Sequence, residues 1–432
     1  MNNTKYSVFV SFFIILCLIL PMSACGSKEE STTVYETESA TAAPVITAES
    51  TVKIGAAGDL LMHRPIYENA KTEDGSYDFS SIFTYTEDII KNCDYFIANL
   101  ETTFGGTSGR SYSSYPRFNT PDEFADTLVK TGIDCVLTAN NHSYDTDADG
   151  FLRTIETVKN AGLDYTGTRL SPDEKQYLIK NIGGINFGFI CYTYETPASG
   201  DYKALNGIPL DNETAQLVNS FKPDLPEDFY TQLKSNIEKM KSENADVIAV
   251  FTHWGEEYQL TPNEVQKEIA QKICDLGADV IIGGHPHVVQ SVDLLTASDN
   301  THKTVCVYSL GNFVSNQRRY LMGIKTGHTE DGIIFTMTFT KYSDGTVSAD
   351  SIEIIPTWVH MYTENGKYIH AVVPLNGDIE GSAEEKGLLK SSDGLALAKG
   401  SLERTNELIS EGEKKCNDYL LNKSRTDSIT YG

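Results

Sequence analysis

The chain has 432 residues, of which 40% are hydrophobic, 10% aromatic and 22% charged, close to globular averages, so collagen-like, coiled-coil and polytopic membrane classes are excluded. Its 35 basic against 60 acidic side chains leave a formal net charge of −25, a surface that repels phosphate backbones, and nucleic acid is excluded as a partner. An anionic substrate would have to meet a locally positive site, and a bound metal is the obvious source of that charge.

In chain order, Lys5 is followed by a mainly apolar run from Val8 to Leu20, too short for the roughly twenty residues that span a bilayer. Residues 1–24 therefore read as a secretion signal. Pro21 breaks the run, and Met22-Ser23-Ala24-Cys25-Gly26 looks like a bacterial lipoprotein processing box, which predicts cleavage before Cys25 and a lipid on that cysteine. Residues 25–50 are rich in Ser, Thr and Glu and read as a disordered tether. The remaining cysteines, Cys93, Cys135, Cys191, Cys274, Cys306 and Cys416, fall mostly inside apolar runs and are expected to be buried free thiols.

From Val52 onward, apolar runs alternate with helical periodicity. Val52 to Ala57, Tyr95 to Leu100, Ile133 to Ala139, Val247 to Thr252, Val280 to Gly284 and Val305 to Leu310 are predicted strands. Phe79 to Cys93, Pro121 to Thr131, Ala148 to Ala161, Phe229 to Glu243 and Asn263 to Leu276 are predicted helices, with Pro121 and Pro262 in first turns. This alternation predicts an α/β layered fold. The proline-rich stretch 195–228 is expected to be an insertion or lid, and 333–340 with 347–355 a hairpin turning at Ser343-Asp344-Gly345. One α/β domain over 51–360 and a largely helical extension over 361–432 are predicted.

The chemistry gathers where the strands end. The first runs into Gly58-Asp59-Leu60-Leu61-Met62-His63, the second into Asn99-Leu100-Glu101 and the third into Asn140-Asn141-His142-Ser143-Tyr144-Asp145. The fourth leads to His253-Trp254-Gly255-Glu256-Glu257 and the fifth to Gly283-Gly284-His285-Pro286-His287. In an open α/β sheet the carboxyl ends lie along one edge, so these segments should converge on one crevice. Each segment alone has a bland reading as a turn, a cap or a packed histidine; all together do not. The donor set is Asp59, Glu101, Asn141, His253, His285 and His287. Oxygen and nitrogen donors without thiolate suit Mn, Zn, Fe or Co and argue against Ca, Mg and iron–sulfur clusters. Six donors including a carboxylate able to bridge form a two-metal inventory, able to hold a hydroxide between two divalent ions for hydrolysis; a mononuclear structural site is the alternative.

These segments resemble the CapA-type poly-γ-glutamate capsule-synthesis proteins, whose domain is similar to the calcineurin-like metallophosphoesterases. GDLLMHR, NLE, TANNHSYD, THWGEEY, GGHPHVVQ and YSLGNF carry the resemblance over about Val52 to Asn316. It implies a four-layer α/β/β/α sandwich of the metallo-dependent phosphatase type, with metal ligands at Asp59, Glu101, Asn141, His253, His285 and His287, Glu101 as the bridge, and His142 as the acid or transition-state stabiliser. Phosphoesterases carry Asp-x-His at the first strand; here Leu61 takes the place of that histidine, leaving His63 as the substitute ligand. Asn140 stands where those enzymes have glycine, and with Glu256, Asn312 and Arg117 it is expected on the substrate side. Glu256 and Glu257 can orient a ligand imidazole, act on a substrate amine, or be solvated acids. Arg110 and Arg169 are further candidates to clamp an anion, while His302, His328, His360 and His370 are expected to be structural. The functional expectation is an extracytoplasmic, lipid-anchored hydrolase acting on a phosphoester or on an amide of poly-γ-glutamate or cell wall. The alternative is a non-catalytic, metal-containing factor that binds such an anionic polymer and assists a membrane synthase.

Overall fold

Strand Ala48–Leu60 is exposed where it begins and fully buried where it ends, because its last residues, Gly-Ala-Ala-Gly-Asp-Leu, are small enough to be covered from both faces. In this computed structural model, which describes residues 45–197, 202–224 and 226–430 with side chains to 423, that strand lies inside an eight-stranded sheet. Tyr95–Asn99, Cys135–Leu137 and Asp164–Thr166 follow it in parallel on one side, and the antiparallel strands Asp331–Tyr342, Val347–Glu364 and Lys367–Pro374 lie on the other. Asn312–Val314 adds a parallel pairing at the inner end of the first strand. The predicted signal, the Cys25 box and residues 25–44 of the tether expected over 25–50 lie outside the described residues, while residues 48–50 of that expected tether open strand Ala48–Leu60, because they pair with Asp331–Tyr342. Among the described residues no helix is long and apolar enough to cross a membrane.

The second sheet has seven strands, ordered Val292–Thr296, Lys303–Val307, Val280–Gly284, Val247–His253, Ile185–Tyr194 and Leu178–Ile182, with Ser220–Phe221 beside Ile185–Tyr194. Between the sheets Phe187, Phe189, Phe251, Phe335 and Phe339 form part of one apolar core, each side chain contributing about 2–3 kcal/mol by leaving water. A second core joins the outer face of the first sheet to helices Glu87–Lys91 and Glu123–Thr131 through Ile90, Phe96, Ala98, Phe124 and Leu128. A third joins the second sheet to Glu227–Ser242 and Glu264–Asp275 through Leu233, Ile237, Val250, Ile269 and Ile273. Helix, sheet, sheet, helix is the four-layer sandwich expected. All six described cysteines are free, five of them buried.

Several expectations are corrected. The predicted strands do not share one open sheet: the first three belong to one sheet and the last three to the other. The helix expected over 79–93 is interrupted, because Thr86 turns both its N–H and its hydroxyl to Phe83 O and competes with helical bonding. A short helical turn, Ser80–Ile82, and Glu87–Lys91 remain. Pro121 and Pro262 precede the caps Asp122 and Asn263 instead of occupying first turns; Asn263 and Gln266 form a reciprocal capping box. The insertion is tied down, with a small hairpin, Ala204–Leu205 and Ile208–Pro209, and strand Ser220–Phe221 pairing into the second sheet.

The boundary expected at 360/361 falls inside strand Val347–Glu364, and the sheet continues through Lys367–Pro374. Helix Gly394–Thr430 sends Ile409, Cys416 and Leu420 into the core between the sheets. Its Asn417 and Glu413 side chains accept from the Ile352 and Ile354 N–H groups at 2.9 and 3.0 Å, closing backbone donors that would otherwise be open to edge pairing.

Candidate metal centre

Gly58 lets Asp59 arrive where it does, since a Cβ there would stand 1.9 Å from Gly311 O. Asp59 is fully buried, and its Oδ1 accepts from Asn99 Nδ2 at 2.7 Å. The same amide reaches Glu101 Oε2 at 3.3 Å. On the facing sheet, His253 ends strand Val247–His253 and His285 follows Val280–Gly284. His285 and His287 both adopt left-handed backbone, φ 96° and 56°, a conformation that costs a non-glycine residue about 1–3 kcal/mol and persists where the surroundings enforce it. The Trp254 N–H bonded to Gly284 O and the Tyr258 N–H bonded to Pro286 O do the enforcing. The turn brings His287 Nδ1 to 3.1 Å from Asp59 Oδ2.

Two groups of donor atoms result, Glu101 with His285 and His287, and Asp59 with Glu101 and His253, all atoms within each group lying within 4.8 Å of one another. Glu101 belongs to both. Asn141 Oδ1 joins at 2.8 Å from His253 Nε2. Asp59, Glu101 and Asn141 are carried by the first sheet and the three imidazoles by the second.

The residues fit divalent cations on three counts. Glu101 Oε1 and His285 Nδ1 are buried without any hydrogen-bond partner. Two fully buried carboxylates stand together and, among the described residues, make ion pairs with histidines and with no lysine or arginine, a charge that wants a cation. Burial, then the neighbouring Asp59 charge, push the Glu101 carboxyl well above its usual range. Burial acts in the same direction on Asp59, but the hydrogen bond and charge of His287 overcome it and hold that carboxyl low. Burial presses His253 down to about 3 and His285 well below its usual value, so both imidazoles are neutral near pH 7, the form that ligates a metal.

Beside this cluster, His142 Nδ1 lies 2.7 Å from Asp145 Oδ2. Asp145 is itself fixed by the Phe118 N–H at 2.6 Å and by Asn206 Nδ2 from the insertion at 2.9 Å. Sequence reasoning did not single out Asp145 or Asn99; the signals were an acid three residues after His142 and a polar side chain closing a fully buried strand.

The other predicted positions go elsewhere. His63 stands outside both donor groups: its Nδ1 is 3.2 Å from both Asn316 N and Leu61 O, and its ring meets Phe118 edge-on. Asn140 is fully buried and supports the centre from behind, donating from Nδ2 to Asn99 Oδ1 at 3.2 Å and Leu100 O at 2.8 Å. Asn312 is equally buried and donates to His287 O, Gln317 Oε1 and Thr329 O, which holds the His287 turn. Arg117 donates to Asp145 O and Asp147, Arg110 to Thr146 O and Asp149, and Arg169 to Asn219 and Gln216 O. These arginines tie loops together. Glu256 is exposed on the rim of a neighbouring groove. His302, His360 and His370 bond Ala278 O, Ser391 and Asn316, and His328 lies 3.9 Å from Asp331.

A four-layer sandwich whose two sheets meet at paired carboxylate and imidazole groups belongs to the metallophosphoesterase-like class. Residues 53–317 match the family described as bacterial capsule synthesis protein PGA_cap, and the chain belongs to that family. It is 31% identical over 264 residues to the capsule biosynthesis protein CapA of Bacillus anthracis, covering 60% of this chain and 59% of that protein. It is 27% identical over 321 residues to the PGA biosynthesis protein CapA of Bacillus subtilis (strain 168), covering 73% and 74%. Among solved structures, TT1561 of Thermus thermophilus aligns with 8% identity and a TM-score of 0.33 over 66% of this chain and 94% of that one, a likeness that carries no functional weight.

Proposed function

We propose that the protein is a metal-dependent hydrolase of capsule-polymer metabolism, acting outside the cytoplasmic membrane and held there by a lipid on Cys25. The observation that carries the reading is the pair of donor groups sharing Glu101, with the His142–Asp145 pair alongside. Divalent cations bound there would polarise a phosphoryl or carbonyl oxygen and lower the pKa of water. Asp59, Glu101, Asn141, His253, His285 and His287 would hold them.

The chain's own residues supply the rest. With Nδ1–H directed to the Asp145 carboxylate, His142 keeps Nε2 as the atom that holds or delivers a proton to a departing oxygen or nitrogen. The Phe118 N–H and Asn206 keep Asp145 from rotating away. Asn99 restrains both carboxylates from one amide. Supporting the polymer context are the family match and the two CapA relatives; poly-γ-glutamate and a membrane synthase are the partners proposed on that basis.

Metal content of the detergent-solubilised full chain, with turnover of a phosphoester and of poly-γ-glutamate by wild type and His142→Ala, tests the proposal. Metal together with His142-dependent turnover supports it. Metal without turnover on either substrate class removes the hydrolase and leaves the polymer-binding factor. Incorporation of labelled palmitate that disappears in Cys25→Ala tests the anchor.

A further inference from the structure

On the His285 side of the centre a groove of about 970 Å³ opens between the insertion and the loop that follows strand Val247–His253. His285 forms part of its lining, 4% exposed, with Nδ1 lacking a partner and its ring 4.6 Å from that of Tyr194. The groove therefore begins at the metal centre. Tyr194, Tyr202 and Tyr258, none of them fully buried, give it aromatic walls. Asp224, Glu256 and Glu257 line it and are exposed, against Lys222 as the cation among the described lining residues. A fourth acid, Glu195, is engaged by Ser220 Oγ at 2.8 Å and lies 3.9 Å from Lys203.

A polyanion laid along this groove would set carboxylates against Glu256 and Glu257, which is unfavourable at each contact. An ammonium gains from the carboxylates and also from the aromatic faces. We infer that the groove binds a primary ammonium group, so that the bond presented to the centre belongs to an amide or ester with one amine-bearing limb seated against Glu256 and Glu257. The identity of the bond rests on the hydrolase reading; the binding of the amine does not.

The probe is γ-glutamyl-lysine acetylated on the glutamate α-nitrogen, which leaves the lysine ε-ammonium as its single amine, titrated calorimetrically into the full chain beside its Nε-acetyl derivative and a γ-linked glutamate tetramer acetylated at its N-terminus. The amine probe should bind about tenfold more tightly than the acetylated one, and the advantage should shrink as salt is raised. The double variant E256Q/E257Q should bring both to the same affinity with metal content unchanged; both side chains are exposed, so the fold is not at risk. Equal binding of the amine and acetyl probes, tighter binding of the glutamate tetramer, no effect of the double variant, or no binding of any probe overturns the inference. Amine-selective binding without turnover removes the hydrolase but not the groove assignment; turnover without amine selectivity does the reverse.

Discussion

Glu101 is the residue on which both donor groups depend. Glu101→Gln keeps the shape and removes the charge, so it should lower bound metal and reduce turnover by more than about 100-fold, since even outer partners of metal ligands are worth about 10–100-fold; elemental analysis and initial rates read the two effects. Asp145→Asn should behave differently, costing about 100-fold or more in rate with metal retained, because it disturbs only the proton-carrying imidazole. The asymmetry in legibility is physical. Asp59, Glu101, Asn141, His253, His285 and His287 stood out because polar side chains at successive strand ends are hard to explain by packing. Asn99 did not, because a terminal amide looks like an ordinary turn residue until its two acceptors are seen. His63 drew attention for its type, but its Nδ1 faces backbone. Away from the centre, His370 is 3% exposed and burial lowers it to about 3. Between about pH 6.5 and 3 the unfolded chain takes up that proton and the native one does not, so stability falls as pH falls through this window. His370→Gln should flatten the fall, retaining about 2 kcal/mol more than wild type between about pH 6.5 and 5 relative to neutral pH, measured by urea midpoints.

Among the elements, the glycines that close strand Val280–Gly284 separate fold from site. A Cβ on Gly283 would stand 2.0 Å from Tyr308 O and 2.4 Å from Trp254 Nε1, across an indole hydrogen bond of 2.9 Å. Gly283→Ala should cost about 3 kcal/mol in denaturant unfolding. At Gly284 the nearest atom is instead Asp59 Oδ1 at 2.9 Å, so Gly284→Ala should weaken metal binding more than it weakens the fold. The strands that lead into the site and most of the helices could be read from periodicity, whereas Asp164–Thr166, Leu178–Ile182, Val292–Thr296 and Lys367–Pro374 were not counted, and neither was Ile185–Tyr194, one strand in from the edge of the second sheet. Gly188 breaks its apolar run for a reason invisible in the sequence: a Cβ there would stand 2.7 Å from Met240 Sδ, where helix Glu227–Ser242 packs down. The split helix near residue 86 was hidden likewise, because a threonine that back-bonds to the preceding turn looks like any helix-tolerated residue.

For the whole molecule, periodicity identifies strands but not their neighbours, which is why one crevice was expected along a single sheet. The C-terminal segment was misjudged for a related reason, its charged residues concealing a buried stripe. Removing residues 394–432 should leave the chain insoluble. Ile409, Cys416 and Leu420 would leave gaps in the central core, and Asp331, 1% exposed and bonded by Ser401 and Arg404, would be stranded, a loss of about 3–5 kcal/mol by itself. Expression and sedimentation of the truncated chain check this. The donors come from opposite layers, acids and amide from one and imidazoles from the other. Bound cations would therefore rivet together two slabs that otherwise adhere through oily side chains. Loading should damp their relative sliding, and slower deuterium uptake at the inner ends of Tyr95–Asn99 and Val280–Gly284 would report an armed centre before any substrate is offered.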